Sequence, residues 1–472
     1  MPRRLSQRVP FRLSLGLPQR VPFGLPQRVR QRRCSLMADI AWIDDFVRSI
    51  SEHVYVRAAD SLLILLPNQA YKLNPTGLYL LKQTLAGRPI AEVMGSRLAD
   101  DSAVADVHDF FCDLRALVMG CLGEGRDRRA VETIPFERPH NTLPVLSEIA
   151  LTYRCNLSCK FCYAGCRCTK KPDSREMTKA EVKRVLEIIR YDAEVPSVSW
   201  TGGEPTLRSD LVDLTQYAAD IGMRVNLITN GTNITSDLAA SLKAAGLRSA
   251  QVSIEGPDAE VHDSLTQVAG SFEKTLEGIA AIRRAGIHVH TNTTVSRANA
   301  PHLRGIVALA KDLGLDRLSM NMVIPCGSAP DADVTITYTE TADLIRGVRA
   351  AARELGVEFV WYSPTPYCIF NPVAARLGGK SCAACDGLLS IAPNGGVLPC
   401  SSLPTSVGNL LTTPFGKVWN GRKALYWRRK RYAHGICRKC PQFDLCAGAC
   451  PIYWDAMGYK ELRDMGARVC TN

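Results

Sequence analysis

Residues 151–163, LTYRCNLSCKFCY, carry three closely spaced cysteines directly after a short apolar segment at residues 149–153. Cys155 and Cys159 are separated by three residues, and Cys159 and Cys162 by two. A structural zinc ion prefers four ligands, usually as two separated pairs. Three thiolates are better suited to a [4Fe–4S] cluster in which one iron has no protein ligand and can bind a substrate or cofactor. A redox or zinc site with this spacing by coincidence is the alternative.

The same stretch resembles the cluster motif of the radical S-adenosylmethionine (radical SAM) enzymes. The resemblance implies that Cys155, Cys159 and Cys162 hold the cluster, and that its open iron binds the amino and carboxylate groups of S-adenosylmethionine (SAM). One electron from the cluster then splits SAM into methionine and a 5′-deoxyadenosyl radical. Phe161 directly precedes the third cysteine. We expect its ring to pack on a flat ring of the cofactor.

The length and composition favour a multidomain protein with metal centres. A chain of 472 residues has room for two or three domains. No run of about 18 apolar residues occurs, so no membrane span is predicted. The 18 cysteines cluster at metal-ligand spacings, which indicates metal centres in a reducing cytoplasm rather than a disulfide framework.

The net charge of +12 is concentrated at the N-terminus. Residues 1–36 hold nine arginines and no lysine, aspartate or glutamate. Residues 37–472 therefore hold 49 basic and 46 acidic residues, a net charge of +3. This balance does not favour a nucleic-acid partner. The segment repeats QRVPF and LPQR. It is a disordered basic arm, a targeting peptide, or sequence upstream of a true start at Met37, and we favour the last.

Residues 50–121 predict a small winged-helix domain. Three strands are expected at residues 53–57, 61–66 and 69–73, followed by a helix that begins at Asn74-Pro75 and by helices at 89–98 and 102–119. The expected apolar stripes are Leu78, Leu81 and Leu85 on the first helix, and Val104, Val107, Phe111, Leu114 and Leu117 on the third.

The segment LLILLPNQAYKLN followed by PTGLYLL resembles the PqqD-like recognition element of enzymes that modify ribosomally made peptides (RiPPs). The resemblance implies that a precursor peptide's leader adds a strand to the edge of the sheet. A DNA-binding winged helix is the alternative. The third helix argues against it, because Asp106, Asp109 and Asp113 outnumber Arg115 on a helix that would face phosphates.

Residues 120–141 have the polar, Gly- and Pro-containing composition of a linker, and strands then alternate with amphipathic helices. Strands are expected at 147–153, 198–201, 224–229, 249–254, 288–295 and 317–323, with helices at 178–190, 209–221, 236–245, 271–285 and 300–313. This α/β pattern predicts a partial (β/α)6 TIM barrel over residues 145–325. Ligands of such barrels bind at the C-terminal ends of the strands.

Several polar motifs follow these strands. Thr201-Gly202-Gly203-Glu204-Pro205 ends the second strand; we expect the glycines to let the backbone approach a ligand and Glu204 to accept from an ammonium group. It resembles the GGEP motif, which binds the SAM amino group. Thr229-Asn230-Gly231 indicates at least a turn. The family resemblance further implies that Ser253 and Glu255 face the ribose and carboxylate of SAM, with Asn292 a weaker candidate.

Cysteines return after a connecting segment at residues 326–367, in which a helix at 339–355 and a strand at 358–362 are expected. Cys385 and Cys400 flank a predicted hairpin with its turn at residues 393–396. The run Cys437, Cys440, Cys446 and Cys450 follows, and then Cys470. Such spacings suit iron–sulfur clusters or zinc, and the chemistry of the residues alone leaves both open.

Residues 368–472 resemble the SPASM domain, an auxiliary-cluster extension of radical SAM peptide modifiers. The resemblance assigns Cys385, Cys400, Cys450 and one upstream cysteine, Cys382 or Cys368, to auxiliary site I, with Cys382 preferred. It assigns Cys437, Cys440, Cys446 and Cys470 to auxiliary site II. Cys166 and Cys168 are not taken as ligands, because a fourth thiolate would block SAM. Cys326 is unassigned.

Together the resemblances imply a RiPP maturase. The 5′-deoxyadenosyl radical would abstract a hydrogen atom from a precursor peptide to install a cross-link or another modification, with electrons from a donor such as flavodoxin or ferredoxin. No acid or base is named, because hydrogen-atom abstraction needs none. Ser401 stands where sulfatase-maturing relatives carry an aspartate, which argues against that subclass.

Two alternatives remain at this stage. The same core would act on a small metabolite or cofactor precursor, with the N-terminal domain docking a partner. A non-catalytic regulator with a DNA-binding winged helix is the other, and the GGEP motif and the three-cysteine site count against it.

Overall fold

The computed structural model describes residues 39–67, 69–118, 142–165 and 175–469, with side chains described up to residue 465. The basic segment at 1–36, the predicted linker, Cys166, Cys168 and Cys470 lie outside the described residues. The chain divides into two compact units, Met1–Glu137 and Arg138–Asn472.

Unit 1 combines a three-stranded antiparallel sheet with helices. Helix α1 (Ile43–Ile50) precedes strands β1 (Val54–Arg57), β2 (Leu62–Leu65) and β3 (Gln69–Lys72), which pair in the order β1-β2-β3. Helices α2 (Pro75–Leu85), α3 (Ile90–Met94) and α4 (Asp101–Val118) follow. Short 3₁₀ turns lie at Ser51–His53 and Gly95–Ala99. Asn74 caps α2 as expected, since its side chain accepts from Gly77 N at 2.7 Å.

The core of unit 1 differs from the sequence prediction in two ways. Helix α1 was not predicted, yet Ile43, Val47 and Ile50 are buried in this core. On α2 the buried residues are Gly77, Leu80, Leu81 and Thr84, while Leu78 and Leu85 are only partly covered. The helix turns its Gly77 face toward the ring of Phe110, which leaves no room for a Cβ at that position.

Unit 2 is built on a ten-stranded sheet. Its strands are β4 (Leu146–Thr152), β5 (Ser197–Gly202), β6 (Arg224–Thr229), β7 (Leu247–Ser253), β8 (His288–Val295), β9 (Arg317–Met322), β10 (Glu358–Trp361), β11 (Leu388–Ile391), β12 (Gly396–Leu398) and β13 (Gly408–Asn409). Strands β4 to β10 are parallel neighbours in sequence order, as in the predicted barrel.

Helices connect the parallel strands and fill the C-terminal region. They are α5 (Lys179–Glu187), α6 (Leu211–Asp220), α7 (Ser236–Ala244), α8 (Ala259–Thr266), α9 (Ser271–Arg284), α10 (Leu303–Asp312), α11 (Tyr338–Leu355), α12 (Phe415–Trp419), α13 (Arg422–Arg428), α14 (Gly435–Arg438), α15 (Phe443–Cys446), α16 (Pro451–Met457) and α17 (Lys460–Val469). A π-helical turn, Ile188–Asp192, extends α5, and 3₁₀ turns lie at Pro205–Leu207, Ala300–His302 and Ala329–Ala332. Helix α8 was not predicted.

The sheet is wider than the six predicted barrel strands. Strand β10, expected only in a connecting segment, pairs in parallel with β9, and β11 pairs in parallel with β4. Both edges of the six-stranded arc are thereby covered, which satisfies backbone groups that an open edge leaves unpaired. Ser390 Oγ also donates to Glu148 Oε1 at 2.6 Å between β11 and β4.

The predicted hairpin is present and continues the barrel sheet. Strands β11 and β12 are antiparallel, with Ser390 opposite Leu398, and β13 pairs with β12. One continuous hydrophobic core includes Trp200 of the barrel together with Trp419 and Tyr453 of the C-terminal region. The barrel and the cysteine-rich region therefore form one folded body. Across the described ranges, no helix is long and apolar enough to cross a membrane.

Candidate functional site

The cysteine loop after β4 is held by neighbouring backbone. Ser158 N and Lys160 N donate to the carbonyls of Thr266 and Leu265, at the end of α8, at 3.0 and 2.9 Å. Ser328 N, from the loop after β9, donates to Cys162 O at 3.0 Å. The end of α8 and the loop after β9 therefore hold the backbone of the cysteine loop.

Gly202 and Gly203 lie directly against the start of this loop. A Cβ at Gly202, whose φ is +130°, would lie 2.2 Å from Thr152 O, and one at Gly203 would lie 2.2 Å from Arg154 O. Gly203 N also donates to Thr152 O at 2.7 Å. We expected these glycines to admit a ligand; the contacts in the structure are with the backbone that leads into Cys155. A binding role toward SAM stays a prediction.

Glu204 links the ends of β5 and β6. Its carboxylate is fully buried and accepts from Thr206 Oγ1 (2.7 Å), Thr229 Oγ1 (2.8 Å) and Asn230 N (2.8 Å). Burial raises the pKa of Glu204, and these hydrogen bonds oppose the rise. Both oxygens already have donors from the chain, so an ammonium group of a ligand would share them.

Asn230 reaches the first thiol of the loop. Its side-chain amide donates to Asn156 Oδ1 at 2.8 Å and to Cys155 Sγ at 3.9 Å, and Leu157 N donates to the same sulfur at 3.4 Å. We interpreted Thr229-Asn230-Gly231 as at least a turn and assigned it no contact with the cysteines. The signal available in the sequence was its position at the end of a barrel strand, where site residues gather.

The predicted residues of the next strands lie on the same edge of the sheet. Ser253 pairs with Asn292. The Asn292 side chain donates to Asn321 Oδ1 at 2.7 Å and accepts from Ser319 Oγ at 2.9 Å. Glu255 accepts from Thr294 N at 2.8 Å. The functional roles of Ser253, Glu255 and Asn292 toward SAM remain predictions.

Electrostatics connect Glu255 to the cysteine loop. Burial raises the pKa of Glu255 to about 8. Burial also raises the pKa of Cys159 well above its usual value, with further contributions from Glu255, Cys162 and Cys155. Burial raises the pKa of Cys155 to about 11, and Glu204 and Cys162 add to the rise. The three thiols and the two carboxylates thus belong to one site. Phe161 packs partly on the core beside them.

Four cysteines form a first thiol group near the hairpin: Cys382, Cys385, Cys400 and Cys450. Cys385 N donates to Pro399 O at 3.3 Å, which brings the two ends of the hairpin together. Burial and the neighbouring Cys382 raise the pKa values of Cys400 and Cys450, the latter to about 12. The structure therefore places Cys382, the preferred upstream cysteine, with this set.

Two buried cations accompany the first thiol group. Arg428 Nε donates to Cys385 O at 2.9 Å, and its guanidinium lies 4.4 Å from the ring centre of Trp419. Lys430 Nζ donates to Cys382 O at 2.5 Å and pairs with Asp386 at 3.2 Å. Lys430 is 1 % exposed. Sequence analysis did not single out these cations, because their spacing from the cysteines carries no motif.

The second thiol group consists of Cys368, Cys437, Cys440 and Cys446. Burial raises the pKa of Cys437 to about 12, with contributions from Cys446, Cys368 and Cys440 in that order. Cys368, the less favoured candidate for auxiliary site I, therefore lies with the thiols predicted for auxiliary site II. The position of Cys470 is not among those described.

Cys326 lies between two of these sites. Its pKa is raised by burial and by Cys162 of the barrel loop, and Cys326 in turn contributes to the raised pKa of Cys450. Gly327 follows it with φ +62°, and a Cβ there would lie 2.0 Å from Cys162 O. The barrel loop and the first thiol group are therefore neighbours across the segment that follows β9.

The thiol sets suit iron–sulfur clusters in their donor chemistry. The barrel loop offers three thiols, and two of these, Cys155 and Cys159, accept hydrogen bonds from backbone or side-chain donors. The SPASM-like region offers four thiols at each site. Within the ranges described, no three His, Cys, Asp or Glu side chains are arranged to hold a single metal ion. The choice between clusters and zinc consequently rests on the family to which the chain belongs.

Comparison with known proteins identifies that family. Residues 149–297 match the radical SAM superfamily, and residues 382–441 match the SPASM iron–sulfur cluster-binding domain. An AdoMet-dependent heme synthase of Oleidesulfovibrio alaskensis is 30% identical over 316 residues, which cover 63% of this chain and 80% of the relative. A PqqA peptide cyclase of Xanthomonas campestris pv. campestris is 28% identical over 314 residues, covering 65% and 82%.

A solved structure shows the same fold. SuiB of Streptococcus suis, crystallised with its precursor peptide SuiA, superposes with a TM-score of 0.64 at 15% identity. The match covers 85% of this chain and 95% of SuiB. The chain belongs to the radical SAM superfamily and carries a SPASM domain, so its cofactors are a [4Fe–4S] cluster with SAM and auxiliary iron–sulfur clusters.

Proposed function

We propose that this enzyme is a peptide maturase that removes a hydrogen atom from a ribosomally made precursor peptide and installs a cross-link or another modification. The observation that carries the proposal is the outer edge of β3 in unit 1, which pairs with no further strand among the described residues, added to a radical SAM and SPASM core. The likeness to SuiB supports it. The match covers 85% of this chain, which is more than unit 2 occupies, so the likeness extends into unit 1.

The barrel residues have defined parts in this proposal. Cys155, Cys159 and Cys162 hold the cluster that, together with SAM and one electron, supplies the 5′-deoxyadenosyl radical. Gly202 and Gly203 hold the backbone of the cysteine loop in place by close contact. Glu204 orders the β5 and β6 ends through its three donors, and Glu255 places a second buried carboxylate beside Cys159.

The first and second thiol groups are proposed to hold the auxiliary clusters, which take up or supply the electron that the peptide radical releases or needs. A small electron-transfer protein such as flavodoxin or ferredoxin is the proposed donor. The cytoplasm is the proposed compartment, since the described cysteines are all unpaired thiols and clusters need reducing surroundings. We propose no nucleic-acid or membrane partner.

The outer edge of β3 is the proposed peptide-binding element. Residues of an antiparallel pair alternate between those that bond to the partner strand and those that point away. Leu73 N donates to Ser61 O at 2.8 Å, and Leu63 pairs with Tyr71. The backbone groups of Tyr71 and of Leu73, the residue after β3, therefore face β2. Ala70 and Lys72 alternate with them, so their backbone groups face away from β2. A leader peptide would pair with them as a fourth strand.

Ala70→Pro tests this edge. It removes an outward N–H without touching a bond to β2, and proline is tolerated at such positions. Val56→Pro is the matched control, because Leu66 N donates to His53 O and Tyr55 pairs with Ile64, which makes Val56 an outward residue of the opposite edge. Thermal unfolding would confirm that both variants fold.

We expect Ala70→Pro to weaken binding of a leader peptide, encoded by a short reading frame beside the gene, at least tenfold by fluorescence anisotropy. Val56→Pro should bind as the parent does. The reverse pattern would place the peptide at β1, and equal affinity in all three proteins would overturn the edge proposal. With the reduced enzyme and SAM, the full-length precursor peptide should raise 5′-deoxyadenosine release and should itself lose hydrogen, as measured by its mass. With the Cys159→Ala variant, neither change should occur.

A small cofactor precursor is the second candidate substrate. The observation that favours it is the 30% identity to an AdoMet-dependent heme synthase, which slightly exceeds the 28% identity to the PqqA peptide cyclase. SAM cleavage stimulated by a porphyrin-type precursor, and not by the peptide, would select this candidate. The leader-binding experiment and the substrate assay together separate the two.

A further inference from the structure

Cys368 follows β10, where the chain leaves the edge of the barrel sheet. The segment that contains it runs across the thiol of Cys446. Tyr367 N donates to Cys446 Sγ at 3.4 Å, and Cys446 Sγ donates to Thr365 O at 3.8 Å. The residue before Cys368 is therefore in direct contact with a thiol of the second group.

The side chain of Cys368 lies within electrostatic reach of the same group. Cys368 is an exposed residue, yet partial burial of its sulfur and the Cys446 thiol raise its pKa to about 11, with a smaller contribution from Cys440. Cys368 contributes in turn to the raised pKa of Cys437. By contrast, the thiols that influence Cys400 are Cys382 and Cys450, and Cys368 is not among them. These relationships assign Cys368 to one set and Cys382 to the other.

Backbone amides point at three of the four sulfur atoms of the second group, those of Cys368, Cys440 and Cys446. Gln442 N donates to Cys440 Sγ at 3.4 Å, as Tyr367 N does to Cys446 Sγ. The amides of Cys368 and Ile369 act on the Cys368 sulfur and lower its pKa against the other contributions. Amide donors stabilise thiolates and tune the clusters that thiolates bind. Cys368 thus shares the local environment of the predicted ligands.

We propose that Cys368 is the fourth ligand of auxiliary site II, beside Cys437, Cys440 and Cys446, and that Cys470 is not required there. The inference rests on the proposed auxiliary sites and replaces one predicted ligand. Four protein thiolates leave no iron open to substrate, so site II carries electrons only. Its fourth ligand comes from the segment after β10, which links the cluster to the last strand of the barrel.

Thiol protection in the unmodified full-length chain tests the ligand directly. The chain is alkylated with iodoacetamide under anaerobic conditions, before and after reconstitution with iron and sulfide, and the modified cysteines are identified by mass spectrometry. Cys112 is the matched control because it is an exposed thiol outside every proposed site. We expect Cys368 to become at least tenfold less reactive after reconstitution, while Cys112 reacts equally in both states.

Substitution provides a second readout. In a background that lacks the SAM cluster (Cys155→Ala, Cys159→Ala and Cys162→Ala), about eight irons per chain are expected in two auxiliary [4Fe–4S] clusters. Adding Cys368→Ala should remove about four irons or leave a three-iron signal in electron paramagnetic resonance. Adding Cys470→Ala or Cys112→Ala should leave iron and spectrum unchanged.

The inference is overturned if Cys368 stays reactive in fully reconstituted protein, or if Cys470→Ala loses iron while Cys368→Ala keeps it. A failure of the underlying assignment looks different. The background chain would then take up no auxiliary iron, or would take up zinc, whichever of the two cysteines is present. Protection from alkylation is measured on the chain without substitutions, so a folding defect of the Cys368→Ala variant does not affect that result.

Discussion

The two thiol groups of the C-terminal region differ in the charge that surrounds them. The first, Cys382, Cys385, Cys400 and Cys450, lies beside buried Arg428 and Lys430, which donate to the carbonyls of Cys385 and Cys382. The second, Cys368, Cys437, Cys440 and Cys446, is contacted by uncharged backbone amides. Among the described residues, the largest contributions to the shifted pKa values of Cys368, Cys437 and Cys446 come from burial, neighbouring thiols and backbone amides.

This difference indicates a division of work between the two proposed clusters. Arg428 and Lys430 both lower the pKa of Cys385, although burial dominates and raises it to about 12. A positive charge that favours a thiolate also favours the more negative, reduced form of a cluster. The first site should therefore accept an electron more readily than the second.

Lys430→Met should have the largest effect. It breaks a buried ion pair and leaves the Asp386 carboxylate without its cation, which typically costs about 3–5 kcal/mol. We expect a loss of this size in the free energy of unfolding measured with denaturant, together with loss of iron from the first site. Arg429→Met, at an exposed neighbouring position, is the control and should change stability by less than about 0.5 kcal/mol.

Adding Asp386→Asn to Lys430→Met should recover part of the loss, because it removes the negative charge that Lys430 balances in the parent protein. An equal loss in the single and double variants would show that packing, rather than charge, makes the first group different from the second.

The reduction potentials compare the two groups directly. In the background without the SAM cluster, we expect the first site to be reduced at a potential at least about 60 mV less negative than the second, which is a tenfold ratio for one electron. A redox titration followed by electron paramagnetic resonance would measure both. Lys430→Gln, whose amide can still donate a hydrogen bond where Lys430→Met cannot, should retain the cluster and shift only the first value, toward more negative potentials. Equal potentials would contradict the proposed division.

Buried His290 in the barrel is expected to lower the stability of unit 2 at acid pH. His290 is buried, its Nε2 lies 3.3 Å from Gln251 Oε1, and burial together with Arg317, His288 and Arg224 lowers its pKa to about 4. The unfolded chain takes up this proton near pH 6.5, so stability is present above that pH and is lost as the pH falls toward 4.

From pH 7.5 to 5.5 this one group should remove about 1 kcal/mol of stability. His290→Gln should flatten the pH dependence of the free energy of unfolding by that amount. If the slope does not change, the acid sensitivity arises elsewhere, and His262, whose pKa burial also lowers to about 4, becomes the first candidate.

The smallest effect is expected in the segment between the two groups. Ala447, Gly448 and Ala449 have φ values of +57°, +77° and +64°. The left-handed conformation is costly for alanine, so Ala449→Gly should stabilise unit 2 by about 0.5–1 kcal/mol. Ala424→Gly in α13 should have the opposite sign, since its φ is not positive and glycine weakens a helix. Denaturant unfolding of both variants would measure the contrast.

The sequence allowed the parallel strands and the hairpin to be predicted, because each depends on local pattern or spacing. It did not reveal β10 and β11 as barrel neighbours, since pairing between distant segments leaves no local period. The face of α2 was misjudged because a glycine at position 77, which the apolar stripe ignores, packs against Phe110. Arg428 and Lys430 were missed for a similar reason: buried cations have no signature until their partners are known.

The connection between Cys446 and Cys450 has a consequence for motion. Cys446 belongs to the second thiol group and Cys450 to the first. The four residue steps between them span at most about 14 Å between Cα atoms. The left-handed turn at residues 447–449 makes the real separation shorter still. However the protein rearranges when a substrate enters, the two proposed clusters cannot separate, so exchange of an electron between them needs no opening or closing of the chain.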